Sequence, residues 1–209
     1  PRRVATCSFC FCCNQLVTMA NVAQGILFGM GNPLLDISCT VTEDFLTKYG
    51  LKRDDAILAE ENHIPIYDEI SEKFKVEYIP GGATQNSIKV AQWILQTPQA
   101  TTFTGCIAND KYGRTLNDAC SEVGVRTVYD YNQGKEPTGT CAVLITKPFR
   151  SLVTNLASAN CFQMAHLEKP ETWELVEKAK FYYSAGFFLT VSTESLLKIC
   201  QHSSQNKKT

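Results

Sequence analysis

Residues 76–95, VEYIPGGATQNSIKVAQWIL, carry the strongest fold signal in the chain. The run 76–79 predicts a strand, and Ile88, Ala91 and Leu95 recur at the spacing of one helical face, which predicts a helix over 85–95. Gly81 and Gly82 lie between them. Without side chains, their backbone N–H groups can approach a ligand closely, and the positive end of the helix dipole is directed toward the same place. The same local pattern also fits a tight turn that binds nothing.

Strands and helices alternate on both sides of this corner. The patterns predict strands over 26–31, 34–40, 101–107, 125–131, 139–146, 151–156 and 181–187, and helices over 42–50, 64–74, 112–123, 171–178 and 194–202. Such alternation predicts an α/β fold with a mostly parallel central sheet flanked by helices. The closely spaced strands within 34–40 and 128–156 do not fit β-α-β repetition. They predict a small lobe made of strands alone, beside the main sheet.

The first eighteen residues, PRRVATCSFCFCCNQLVT, show neither helical nor alternating periodicity. A signal peptide would need an apolar centre, which Ser, Thr and Cys dilute here. A zinc site could use Cys7 and Cys10, but Cys12 and Cys13 are adjacent and lack the spacing of a second ligand pair. We expect 1–18 to be an unstructured or non-native leader, with Met19 as the natural start.

The other end of the chain is polar. Residues 201–209, QHSSQNKKT, predict a tail after the last helix, at the place where a further strand of the sheet is expected. We therefore expect 19–209 to form the amino-terminal part of a longer domain, with an exposed sheet edge.

Composition excludes several classes of partner. The 20 basic and 21 acidic residues give a net charge of −1, which provides no electrostatic footprint for nucleic acid. The sequence has no apolar run near the roughly 18 residues of a membrane-spanning helix. Beyond the leader the cysteines are scattered singly, which is typical of buried free thiols in a reducing, intracellular compartment.

The first strand ends in Gly29-Met30-Gly31, which starts a dinucleotide-binding pattern but does not complete it. The third glycine would fall at Leu34, and Pro33 stands where a helix interior is needed. A phosphate-binding G-x-x-x-x-G-K-[ST] loop is also absent from the sequence. Asn32 and Asp36 remain at the carboxyl end of the strand, where α/β sheets bind ligands. They either converge on vicinal hydroxyls or hydrogen-bond the local backbone in a turn.

Other polar positions have simpler interpretations. Asn109 or Asp110 is expected to cap a helix, and the stretch 137–140 to form a turn. Arg150 either presents a cation to a phosphate or is a surface arginine. The histidines have no metal-ligand spacing and no paired nucleophile, so we predict no catalytic histidine and no metal site; they are His63, His166 and His202.

Residues 26–202 resemble the amino-terminal part of the ribokinase-like (PfkB) sugar and nucleoside kinases. The paired-glycine stretch around Gly81 and Gly82 is similar to the first signature of that family. Six further sequence segments resemble those of the members that phosphorylate adenosine: GMGNPLLD at 29–36, KVEY at 75–78, TQNSIKVAQW at 84–93, PTGTC at 137–141, NLA at 155–157 and AGFFLT at 185–190.

The resemblance implies a role for each matching position. Asp36 would accept hydrogen bonds from the ribose 2′ and 3′ hydroxyls, and Asn32, Gly81, Gly82 and Asn86 would complete the sugar site. The wall around adenine would be apolar, formed by Leu58, Cys141, Leu152, Leu156 and Phe188. Arg150 would support the transferring phosphate, and the strand lobe would close as a lid.

The sequence also departs from the family. Ala56 stands where the family often has a glutamine that reaches adenine, and Ala83 replaces a serine. The second signature, Gly-Ala-Gly-Asp, is absent from these 209 residues; it supplies the general base and an anion hole. We therefore expect an adenosine-phosphorylating enzyme that uses ATP and Mg²⁺, in a chain that lacks the base and most of the ATP site.

Two alternatives remain open: a non-catalytic nucleoside-binding fragment, and a ribokinase-like kinase for another sugar or nucleoside. The resemblance further implies that adenosine is the partner and that the full-length protein is a monomer. It also implies a cytoplasmic location, with the nucleus left open as a second one.

Overall fold

The computed structural model describes residues 22–132, 134 and 136–209. The predicted leader over 1–18, the start at Met19 and the alternative zinc site lie outside the described residues.

Eleven strands and seven α-helices alternate through this part of the chain. The strands are β1 (Leu27–Met30), β2 (Leu34–Thr40), β3 (Ala56–Leu58), β4 (Glu77–Gly81), β5 (Thr101–Thr104), β6 (Cys106–Ile107), β7 (Arg126–Thr127), β8 (Asp130–Tyr131), β9 (Thr140–Thr146), β10 (Phe149–Asn155) and β11 (Phe181–Tyr183). The helices are α1 (Glu43–Lys48), α2 (Pro65–Lys73), α3 (Ala83–Leu95), α4 (Lys111–Ser121), α5 (Met164–Leu167), α6 (Pro170–Lys178) and α7 (Thr193–Gln205). Short 3₁₀ turns cover Glu61–His63, Ala157–Cys161 and Gly186–Thr190.

The central sheet has four parallel strands in the order β11-β1-β5-β7. On one face Phe28 and Met30 pack with α6 and α7. On the other face β1 meets α3 so closely that a Cβ at Gly29 would lie 2.4 Å from Ile88 Cγ1. Helices thus cover both faces, which confirms the predicted α/β class. A two-stranded parallel sheet, β6-β8, continues from β5 and β7 beyond Gly105.

A second, five-stranded sheet is mixed, in the order β3-β10-β9-β2-β4, and is called the lid sheet below. The pairs β2–β9 and β3–β10 are parallel, and β9–β10 and β2–β4 are antiparallel. It confirms the predicted small β lobe. The expectation of a lobe made of strands alone was wrong, because α1 and α2 cover one face through Phe45, Leu46, Ile66 and Ile70.

Four predicted elements differ from the structure. The strand over 125–131 divides into β7 and β8, which belong to the central sheet and to the β6-β8 sheet and not to the lid sheet. The strand over 181–187 ends at Tyr183, and its apolar continuation forms the turn Gly186–Thr190, which buries Phe188. The strand over 101–107 breaks at Gly105, where a Cβ would lie 2.3 Å from Gly31 O. The polar tail from 201 is helical as far as Gln205 in α7.

Candidate functional site

A cavity of about 500 Å³ lies between the lid sheet, the start of α3 and the segment after β11. Strand alternation sets the lining on the lid side. In β2, Leu35 and Ile37 are buried in the protein core, whereas Asp36 and Ser38 line the cavity. Since the cavity face of a strand takes every second residue, the sequence of β2 places the carboxylate at the cavity.

Pairing between strands arranges the lining side chains in a row. Asp36 lies opposite Cys141, Cys141 opposite Thr154, and Thr154 opposite Leu58. The row therefore runs from a carboxylate on β2 to an apolar side chain on β3, across four strands of one face.

Asp36 is electrostatically unusual. Burial raises the pKa of its carboxyl group to about 6, and the positive charge of Arg150 opposes that rise. Within the described residues the Asp36 carboxylate has neither a hydrogen bond nor an ion pair. A desolvated carboxylate facing a cavity without a partner is an acceptor for hydroxyl or amine donors of a ligand.

The paired-glycine corner packs directly against this carboxylate. A Cβ at Gly81 would lie 2.5 Å from Asp36 Oδ2, and one at Gly82 would lie 2.5 Å from Asn32 O. Gly82 also has a φ of +94°, which side-chain-bearing residues rarely adopt. Helix α3 starts immediately after it, with no side-chain cap, so first-turn N–H groups are free to meet a ligand.

Two asparagines line the same cavity. Asn32 is buried, and its Oδ1 has no hydrogen-bond partner in the described part of the chain. Asn86 is exposed in the first turn of α3. Both amides are therefore available to a polar ligand held near Asp36.

A large part of the cavity lining is apolar. All five residues predicted for the adenine wall line it: Leu58, Cys141, Leu152, Leu156 and Phe188. Phe188 is fixed by an edge contact with Phe162 at 5.5 Å between ring centroids. Burial raises the pKa of the Cys141 thiol to about 11, so it is neutral at physiological pH. Arg150 lines the cavity from β10, opposite Ile145.

The structure thus brings the predicted site residues together. All of them line one cavity except Gly81, which packs beside the Asp36 carboxylate. The sequence reasoning missed Ser38, Thr84 and Thr154. The two-residue alternation from Asp36 and Leu152 would have found Ser38 and Thr154. Thr84 is buried and its Oγ1 accepts a hydrogen bond from Ala185 N at 3.0 Å, a contact that no local pattern reveals.

Two polar residues for which the sequence predicts no catalytic role, Asp110 and His166, make hydrogen-bonding contacts within the fold. Asp110 Oδ1 accepts a hydrogen bond from Gly113 N at 2.7 Å, which caps α4, and also binds the Thr138 hydroxyl. His166 Nε2 contacts Val128 O at 2.9 Å.

Across 22–132, 134 and 136–209, no group of three or more His, Cys, Asp or Glu side chains is placed to hold a metal ion. Nor does any helix in those residues have the length and apolar character needed to span a membrane.

A parallel α/β core whose strand ends open under a separate β-sheet lid, with a polar cavity between them, defines the ribokinase-like class that the sequence resemblance implies. The pattern of the pfkB family of carbohydrate kinases matches residues 43–209, and the chain belongs to this family.

Relatives with adenosine kinase names share the sequence and the fold. Adenosine kinase 2 of Arabidopsis thaliana is 58% identical over 185 residues, which cover 88% of this chain and 53% of that protein. The structure of Anopheles gambiae adenosine kinase in complex with P1,P4-di(adenosine-5) tetraphosphate superposes with a TM-score of 0.87 at 46% identity, over 89% of this chain and 55% of that one. The structure of Schistosoma mansoni adenosine kinase in complex with adenosine gives a TM-score of 0.86 at 45% identity, over 89% of this chain and 54% of that one.

The chain therefore spans about half the length of the relatives it matches. The similarity confirms the sequence resemblance over the matched residues.

Proposed function

We propose that this chain is the nucleoside-binding part of an adenosine kinase, which transfers a phosphoryl group from ATP to the 5′-hydroxyl of adenosine and yields AMP and ADP. One observation carries the proposal: the Asp36 carboxylate, desolvated and without a hydrogen bond or ion pair among the described residues, lies at one end of a row of cavity-lining side chains that ends in the apolar Leu58. A ribonucleoside has the matching polarity, since vicinal hydroxyls lie at one end and a flat heterocycle at the other.

The ribose binds at the Asp36 end. Its 2′ and 3′ hydroxyls donate to the carboxylate, and such hydrogen bonds to a charged group are about twice as strong as neutral ones. Asn86 and the N–H groups at the start of α3 supply further contacts, and Asn32 offers its unpaired Oδ1. Gly81 permits this arrangement because no side chain separates the corner from Asp36.

The base binds against the apolar wall. Leu58, Cys141, Leu152, Leu156 and Phe188 remove its faces from water, and closure of the lid sheet completes that exclusion. Arg150 provides positive charge at the lid side of the cavity, where it supports the phosphoryl group that is transferred.

Mg²⁺ at phosphoryl-transfer sites is held mainly by substrate phosphates and one or two carboxylates, and the described residues hold no group of three or more metal-ligating side chains that would bind it without them. The use of ATP and Mg²⁺ belongs to the proposal for the whole protein, and we assign no step of phosphoryl transfer to this part. Its contribution is to bind adenosine, orient the 5′-hydroxyl and exclude water.

Calorimetric titration of the 209-residue chain with adenosine tests the proposal. Asp36→Asn is expected to weaken binding at least 10-fold, because hydrogen bonds to a charged group contribute about 1.5–3 kcal/mol each. Asp118→Asn is the matched control: the same chemical change at an exposed position on α4, outside the cavity, expected to leave the affinity unchanged. Absence of wild-type binding, or equal affinity of Asp36→Asn, would refute the proposal.

Two further assays separate the alternatives predicted from the sequence. Competition among adenosine, ribose and uridine for binding identifies the substrate class. A preference for ribose or uridine would show that adenosine is not the substrate. Turnover of labelled ATP by the 209-residue chain would exclude a purely non-catalytic binding role. The expected monomeric state and the cytoplasmic or nuclear location stay predictions.

A further inference from the structure

Thr154 lies inside the wall proposed for the base. It is on β10, it lines the cavity, and it pairs in register with Cys141 on one side and Leu58 on the other. Two strand spacings, about 10 Å in total, separate it from Asp36 in the same row. That span suits a nucleoside whose ribose binds Asp36, so the Thr154 hydroxyl meets the far part of the base.

The hydrogen bond that the Thr154 hydroxyl makes leaves its acceptor capacity unused. Oγ1 donates to Cys141 Sγ at 3.3 Å. The thiol is neutral, and its own S–H points to Ala142 O at 3.9 Å. A hydroxyl has one proton to donate and two lone pairs that accept, and here the proton is directed to sulfur. The lone pairs are therefore open to a donor in the cavity.

In adenosine, the base group that can donate a hydrogen bond is the exocyclic amino group at C6. We infer that Thr154 is a specificity-determining residue of the nucleoside site, with Oγ1 accepting a hydrogen bond from that amino group. The inference rests on the proposed function and deepens it, because it explains how an otherwise apolar wall selects an aminopurine.

Titrations of wild type, Thr154→Val and Thr154→Ser with two ligands test the inference. Adenosine carries the amino group, and purine riboside has hydrogen in its place. Wild type is expected to prefer adenosine about 3- to 10-fold, the range of one neutral hydrogen bond. Thr154→Val, which keeps the branched shape, is expected to lose this preference by weakening adenosine binding alone. Thr154→Ser, which keeps the hydroxyl, is expected to retain the preference.

Other results overturn the inference. A merely structural role for Thr154 predicts that Thr154→Val weakens both ligands equally, and no role predicts that neither ligand changes. Thermal unfolding checks that each variant is folded, and Thr154→Ala takes the place of Thr154→Val if the valine variant is not. If wild type binds no adenosine, the proposed function fails and the inference fails with it. If wild type binds adenosine and the preference is unchanged in Thr154→Val, the inference alone fails.

Discussion

Gly81 on β4 and Asp36 on β2 are in direct contact: a Cβ at residue 81 would lie 2.5 Å from Asp36 Oδ2. Antiparallel pairing of the two strands, with Gly81 opposite Leu34 and Ile79 opposite Asp36, sets this approach. The glycine corner and the carboxylate therefore form one structural unit at the edge of the cavity.

Gly81→Ala is expected to disturb this unit. The added methyl group cannot fit beside the carboxylate, so either Asp36 or the corner must move. We expect at least a 10-fold loss of adenosine affinity and a destabilisation of about 1–3 kcal/mol, typical of an overpacked site. Titration and urea unfolding measure the two effects. Gly186→Ala is the control, because a Cβ there meets nothing within 4 Å; equal effects of the two substitutions would contradict the steric explanation.

Adenosine binding should weaken in mild acid. The pKa of Asp36 is raised to about 6 by burial, so the carboxylate that accepts the ribose hydroxyls becomes protonated as the pH falls through that value. If only the ionised form binds, the affinity at pH 5 is about 10-fold lower than at pH 7. Arg150 lowers the pKa of Asp36, so Arg150→Gln should move the midpoint to higher pH. Titration across pH 5–8 checks both, and a flat profile would contradict them.

Asp36→Asn should stabilise the ligand-free chain at pH 7. The folded pKa of Asp36 lies above its ordinary value of 3.8, so ionisation costs folding free energy, and this cost grows as the pH rises from about 4 to 6. The full shift corresponds to about 3 kcal/mol, and partial exposure to solvent reduces it to about 1–2 kcal/mol. Urea unfolding should show this gain at pH 7 and a smaller one at pH 4.5. A loss of stability at pH 7 would mean that Asp36 has a stabilising partner.

Thr84 should connect the start of α3 to the segment after β11. Its buried Oγ1 accepts a hydrogen bond from Ala185 N, whose neighbours include Phe187 and Phe188 of the cavity wall. Thr84→Val leaves that N–H without its partner, which costs about 1–3 kcal/mol. Thr84→Ser keeps the acceptor and should retain most of the stability. Thermal unfolding compares the two, and indistinguishable variants would show that the hydrogen bond contributes nothing.

Local sequence patterns were sufficient for much of this fold. Periodicity predicted α3 and its glycine corner, and dense strand spacing predicted the lid sheet. Periodicity did not predict β3, because this strand has only three residues and its Leu58 is half exposed, so the sequence shows no detectable alternation of apolar and polar residues there. It extended β11 through Phe187 and Phe188, because an apolar run has the same local pattern in a strand and in a 3₁₀ turn.

The site depended more on long-range pairing. The resemblance supplied Asp36 and Asn86 as partners in binding, but their common cavity requires β2 to pair with both β4 and β9. Contacts such as Thr84 with Ala185 join residues 101 positions apart, and no sequence window contains both. Register between distant strands also decides that Thr154 falls in the row that begins at Asp36.

The most direct test is a crystal structure of the 209-residue chain with adenosine bound. We predict that the ribose 2′ and 3′ hydroxyls lie within hydrogen-bonding distance of Asp36 and that the base lies between Cys141, Leu58 and Phe188. Adenosine bound outside this cavity, or inside it with the base against Asp36 and the ribose against the apolar wall, would refute the proposed site.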